Sequence, residues 1–257
     1  MKKNIKHGIV AIMVLMVLSA CVRKIPRLNS KAEIDHVQAI KAYASVLSQY
    51  VNDQGQVDFK CLVKQQDDLN LYVHYIAHTP FSEFTSKNAL LAHMINSYNA
   101  MSMYNVLESF IPQTNQGFGK IRFFFLTKLH IAQKKMSLYT LENKYIRKKF
   151  DERIHFALNC MSVSCPVLPK KPFTADNIEQ ELNEARRIFF SEKRNLEINS
   201  DNKTVYVSEI LSFYKDDFIS EQSPTLIDYI NLHTDLNIPK DYKIKFIPYD
   251  WTIHGQG

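Results

Sequence analysis

No internal repeat and no low-complexity tract runs through this chain, which sets aside solenoids, repeat arrays and compositionally disordered tails. No long block of like charges is present either, so nothing marks a nucleic-acid-binding face. The apolar run from Gly8 to Leu18 is too short to span a bilayer, which takes roughly 20 residues. Cysteine is scarce, at four residues. The spaced pair Cys160 and Cys165, with His155 nearby, lacks a convincing fourth ligand for zinc. No metal and no cofactor is therefore expected.

What is present begins with a leader. Lys2, Lys3 and Lys6 form a basic head, Gly8 to Leu18 has the length of a secretory apolar core, and Leu18-Ser19-Ala20-Cys21 follows. That tetrapeptide resembles a bacterial lipobox. The resemblance implies a signal peptide over 1–20, cleavage before Cys21, and lipid attachment to the Cys21 thiol and the new amino terminus. Several acyl chains, at about 0.8 kcal/mol per buried methylene, make such an anchor permanent. Val22 is not the aspartate that retains many lipoproteins at the inner membrane, so a Gram-negative host would place the protein on the outer membrane, facing the periplasm. Losing residues 1–20 removes three lysines and no acid, so the formal charge falls from +6 to +3.

Residues 21–35 are polar and contain Pro26, and read as a lipidated tether. Residues 36–257 read as one domain, long enough to bury a good core. Helical spacing predicts helices from His36 to Tyr50 and from Val63 to Ala77, then a long one after Thr85 or Ser86 that runs to Phe110. Further helices are expected after Ser137, Thr174, Ser208 and Pro224. Residues 196–198 and 204–207 flank a turn and predict a hairpin, and Lys243 to Ile247 a last strand. Alternation of Ile154, Phe156 and Leu158 with His155, Ala157 and Asn159 predicts another strand. The fold class expected is α+β: a mostly helical single domain packed on a small antiparallel or mixed sheet.

The densest chemistry lies at the end of that central stretch, where an imidazole, an amide, two thiols and hydroxyls fall within 153–166. Asn96 and Asn99, one helical turn apart, share a face and either tie down neighbouring backbone or line a site. Four readings stand for Cys160 and Cys165: a disulfide fitting an exported protein, a nucleophile, a metal site, or buried packing thiols. The disulfide comes first, fixing loop shape for roughly 2 kcal/mol, and Cys61 is then an odd thiol buried after Phe59. A catalytic thiol would need His155 beside it, with Asn96, Asn99 or Asp250 orienting the ring. Asn159 shares the predicted strand face with His155 and completes the candidate pocket.

Seven blocks also carry a family resemblance: VNDQGQVDF (51–59), INSYNA (95–100), SLYTLENKYIR (137–147), RIHFALNCMSVSCP (153–166), PFTADNIEQELNEARRIFF (172–190), VSEILSFYKDDF (207–218) and PYDWTIH (248–254). In order and spacing the chain resembles the domain of unknown function 547 family. His93-Met94 stands where that family usually has an aromatic pair, and His254 where it usually has asparagine. The resemblance implies a fold and a set of positions, with no established reaction. Two function classes follow from the residues. One is a binding or assembly lipoprotein holding a protein or small-molecule partner; the other is a thiol-dependent hydrolase or acyltransferase using Cys160 or Cys165 with His155.

Overall fold

The computed structural model describes residues 22–28 and 34–256, so the leader and Cys21 lie outside the described residues. Helix α1 spans His36–Tyr50 and is capped by the Asp35 side chain, which accepts from the Gln38 N–H. Its buried face (Ala39, Ala42, Tyr43, Val46, Leu47) packs on α2, Asp67–His78, where the Tyr43 and Tyr72 rings stack at 4.5 Å. The third helix, α3 (Lys87–Leu107), starts at Ser86, whose hydroxyl accepts from the Ala89 N–H.

From Leu91 to Leu107 every residue of α3 is buried, so the helix is the axle of the domain rather than an amphipathic wall. Its polar residues must find partners inside. Asparagines at three positions do so by bonding incoming loops: Asn96 to Phe173, Asn99 to Ala157 and Asn159, and Asn105 to Arg23. The helix stops where Phe110 and Ile111 take left-handed backbone, at φ 59° and 49°.

A short hairpin follows, β1 (Leu129–Ile131) antiparallel to β2 (Lys134–Met136). After the central stretch come α4 (Ile178–Ser191), then β3 (Leu196–Asn199) and β4 (Thr204–Ser208), paired antiparallel. Helix α5 (Leu226–His233) leads to β5 (Lys243–Ile247), which lies parallel to β4. The three-stranded sheet is thus mixed, in the order β3-β4-β5. The protein is a mostly helical α+β domain on small sheets.

Two apolar clusters fill it. The larger gathers α1, α2, α3 and the hairpin; the smaller joins Phe189, Phe190, Val205, Val207, Phe218 and Ile230. Helix α4 serves both, giving Ile178 and Leu182 to the first and Phe189 and Phe190 to the second.

The central stretch lies between these clusters, and the strand expected there does not form. Glu152–Phe156 is a 3-10 turn, with the Asp151 carboxylate accepting from the Arg153 N–H. Ile154 enters the larger cluster and Phe156 the smaller, while His155, Ala157 and Asn159 are buried as well. Apolar alternation signals one buried face only when the other is wet. Here both sides are dry, so the alternation carries no strand register, and the sheet contains only the hairpin and C-terminal strands.

Two smaller expectations also change. Cys61 is exposed, because the turn Phe59–Leu62 buries Phe59 and Leu62 and turns its middle outward. The segment read as a tether is docked over 22–28: the Arg23 N–H donates to Lys128 O at 2.9 Å and Tyr104 OH to Lys24 O at 3.0 Å.

Candidate functional site

The cysteine loop is built by three amides and one strap. Asn99 receives the Asn159 N–H on Oδ1 at 2.7 Å and donates Nδ2 to Ala157 O at 3.0 Å. Asn96 does the same to residue 173, accepting from the Phe173 N–H at 3.0 Å and donating to its carbonyl at 2.8 Å. Asn159 closes the loop on itself, accepting the Met161 N–H and donating to Pro166 O, each at 2.7 Å. That bond holds Met161 in the left-handed region at φ 66°. All three amides are spent on backbone, and none is free to touch a substrate.

The strap is the C-terminal segment. The Val163 and Ser164 N–H groups donate to the carbonyls of Thr252 and Asp250, and the His254 N–H donates to Met161 O. This antiparallel overlay swings Tyr249 over the thiols. Its hydroxyl lies 3.0 Å from Cys165 Sγ and 3.5 Å from Cys160 Sγ. The two sulfurs, both buried free thiols here, are 3.0 Å apart, and the Cys160 N–H donates to Cys165 Sγ at 3.1 Å.

The environment splits the pair. Hydrogen bonding from the Cys165 thiol, helped by Ser162 and Tyr249, outweighs burial at Cys160 and lowers its pKa to about 7. Cys165 is pushed well up by burial and by Cys160 itself. Cys160 is the more acidic thiol of the pair and Cys165 the less acidic one. Burial also raises Tyr249, so its hydroxyl stays a donor.

Above the sulfurs is a small cavity of about 60 Å³, lined among others by Tyr98, Glu142, His155, Phe213, Tyr214 and Trp251. Glu142 is buried and accepts from two hydroxyls, Tyr98 OH at 3.1 Å and Tyr214 OH at 2.5 Å. The Tyr214 ring stacks on the imidazole of His155 at 3.9 Å and has the guanidinium of Arg147 4.9 Å from its centroid. His155 Nε2 is 2.7 Å from Asp217 Oδ2, and Arg147 grips the same carboxylate through Nε at 2.8 Å and its second nitrogen at 2.9 Å. The His155 hydrogen bond, with Arg147 behind it, holds the Asp217 carboxyl well below the usual range despite partial burial. An ionised carboxylate only accepts, so His155 carries its proton on Nε2.

The structure thus gathers Cys160, Cys165 and His155 around one cavity, with Asn99 and Asn159 behind its wall and Asn96 bracing the neighbouring loop. It does not bring Asp250 in. That side chain is exposed and accepts from the Thr252 N–H, which lowers its pKa. Sequence reading missed Tyr98, Tyr214, Asp217 and Tyr249. Their only signal was tyrosine inside the INSYNA, SFYKDD and PYDW blocks. Among the described residues no group of three or more His, Cys, Asp or Glu is placed to hold a metal ion.

With this geometry in view, the family comparison falls on the elements that build the site. Residues 81–190 match the family described as "Protein of unknown function, DUF547". Over this segment the chain is similar to DUF547. It holds α3 with its asparagines, Glu142, the cysteine loop and α4. Tyr214, Asp217, Tyr249 and Trp251 lie beyond the matched DUF547 residues, so the cavity is roofed from outside them. No curated protein and no solved structure matches the chain.

Proposed function

We propose that this protein is a lipid-anchored envelope protein facing the periplasm, which binds a partner at the Cys160 cleft and uses Cys160 and Cys165 as a reversible dithiol–disulfide pair. The observation that carries the thiol reading is the 3.0 Å between the sulfurs, split into an acidic Cys160 and a basic Cys165. Anchoring is supported by the LSAC motif ahead of the domain. A cavity of about 60 Å³ is far below the several hundred that enclose a small-molecule ligand. The group admitted is therefore one side chain or end group of a larger partner.

The step balances against a disulfide on that partner. The Cys160 thiolate attacks one of its sulfurs and forms a mixed disulfide, expelling the other as a thiolate. Cys165 then gives up its proton and displaces the partner from Cys160. Starting from the Cys160 thiolate, this chain loses two electrons and the Cys165 proton, and the partner's disulfide becomes a dithiol by taking up that proton and one from water. An asymmetric pair suits the sequence, since the attacking thiol should titrate near ambient pH.

A second reading, a thiol-dependent hydrolase or acyltransferase, is favoured by the same acidity of Cys160. Its difficulty is the base: His155 gives Nε2 to Asp217, and no hydrogen bond joins His155 to either sulfur among the described contacts. The deciding experiment traps thiols in acid as the protein leaves the envelope and maps the peptides by mass spectrometry. A linked 160–165 peptide is expected, opened by reductant to two alkylatable cysteines, with Cys160 reacting first and its rate rising through pH about 7. A permanently free Cys160, with Cys165→Ala harmless to function, sinks the redox reading in favour of the hydrolase. The N-terminal peptide tests the anchor in the same samples, where unmodified Cys21 refutes it.

A further inference from the structure

Beyond the cleft, one face of the molecule combines exposed apolar side chains, unopposed basic charge and the point where the chain leaves toward Cys21. Phe118, Ile121 and Phe125 are exposed by 55%, 48% and 41%. Their spacing of three and four residues places them along one side of consecutive helical turns, Phe118–Ile121 and Arg122–Leu126. Phe125 is tied to the chain's start: its carbonyl accepts from Lys128 Nζ at 3.0 Å, and Lys128 pairs with Val22. Asn105, which accepts from Arg23 Nε at 3.1 Å, donates in turn to Phe123 O at 3.5 Å. Val22, the residue that follows Cys21 in the sequence, is therefore fixed on this face.

Charge points the same way. Lys24 and Arg27 are exposed beside Val22, Lys120, Arg122 and Lys128 flank the apolar side chains, and residues 109–141 contain no Asp or Glu. Strain adds to the exposure. Ile111 is a β-branched residue held at φ 49°, next to Phe110 at φ 59° with 93% of its surface in water.

We infer that this face is a membrane-docking surface, on which Phe118, Ile121 and Phe125 enter the interfacial region of an anionic leaflet while Arg122 and Lys24 engage its headgroups. Aromatic and aliphatic side chains partition into that layer, and each nearby Lys or Arg adds roughly fivefold to the docked population over an anionic surface. The orientation rests on the acylation of Cys21 proposed above, because an anchor beside Val22 brings this face, and no other, against the bilayer. A short docked link replaces a swinging tether, so the thiol cleft is held at a fixed attitude to the membrane.

The test uses the full chain, purified and reconstituted into vesicles of phosphatidylethanolamine with phosphatidylglycerol, beside vesicles of phosphatidylcholine alone. Phe118→Trp adds one indole to a chain whose single native tryptophan, Trp251, lines the cleft. Lipids brominated in their acyl chains should quench most of the added emission on the anionic vesicles, read as the difference from the unsubstituted chain, whose Trp251 ring centroid lies 4.1 Å from Lys120 Nζ. Arg122→Ala should reduce the docked-to-free ratio roughly fivefold. An added indole that stays open to aqueous iodide on anionic vesicles overturns the proposal, as does its protection by self-association without lipid quenching. Mass measurement of the N-terminal peptide in the same preparation reports acylation separately, so failure of the anchor is told apart from failure of the docking face.

Discussion

Removing the Asn99 side chain isolates what holds the cysteine loop. In Asn99→Ala the Ala157 carbonyl and the Asn159 N–H lose the only hydrogen-bond partners they have among the described residues. Asn99 is 1% exposed, so water cannot replace the amide without a rearrangement. Each stranded buried group costs about 1–3 kcal/mol, so the loss should be about 4 kcal/mol, a large part of a domain's stability. Urea unfolding at neutral pH measures it, with an unchanged slope showing that the unfolded state is not the cause. Asn99→Leu is the control, since it fills the space and strands the same two groups. A loss matching Asn99→Ala assigns the effect to the hydrogen bonds, and a full recovery assigns it to volume. Alkylation of Cys160 should accelerate in both variants, because Asn159 immediately precedes that cysteine. A loss under about 1 kcal/mol for Asn99→Ala would refute the bracing role.

Two further outcomes follow from buried groups and backbone. His93 is buried against the Phe84 ring at 4.1 Å, and burial lowers its pKa to about 3. The unfolded chain takes up a proton below pH about 6.5 that the folded chain refuses until about 3, so stability falls as pH drops through that window. His93→Phe should flatten this acid limb in melts at pH 7 and 4.5; an unchanged difference between the two pH values counts against the assignment. Gly55 sits at φ 75°, where an added Cβ would come within 2.6 Å of Leu168 N. Gly55→Ala should therefore lower stability by at least about 2 kcal/mol, and a neutral thermal shift would show that the turn relaxes.

Much of the frame is local in origin and legible in the residues. Ser86 caps α3 by its own hydroxyl, α1 and α2 follow their apolar spacing, and the turn after Asn199 makes the hairpin. Each of these is fixed by a few neighbouring side chains, which is why the sequence by itself determined them. The bracing by Asn96 and Asn99 was open to the same reading, since a poor helix former inside a buried helix must be spent on some backbone. The central stretch was decided elsewhere. Ile154 and Phe156 fall into different cores, so their alternation reports two burials instead of one strand. Cys61 is turned outward by the two neighbours it sits between, and Asp250 by the strap it belongs to. The cavity above the thiols is closed by Tyr98, Glu142, Tyr214 and Tyr249, which come from α3, the turn after β2, the segment after β4 and the C-terminal strap. No short-range pattern links residues so far apart along the chain; only packing brings hydroxyl, carboxylate and sulfur within hydrogen-bonding reach, because each must find a partner once water is gone.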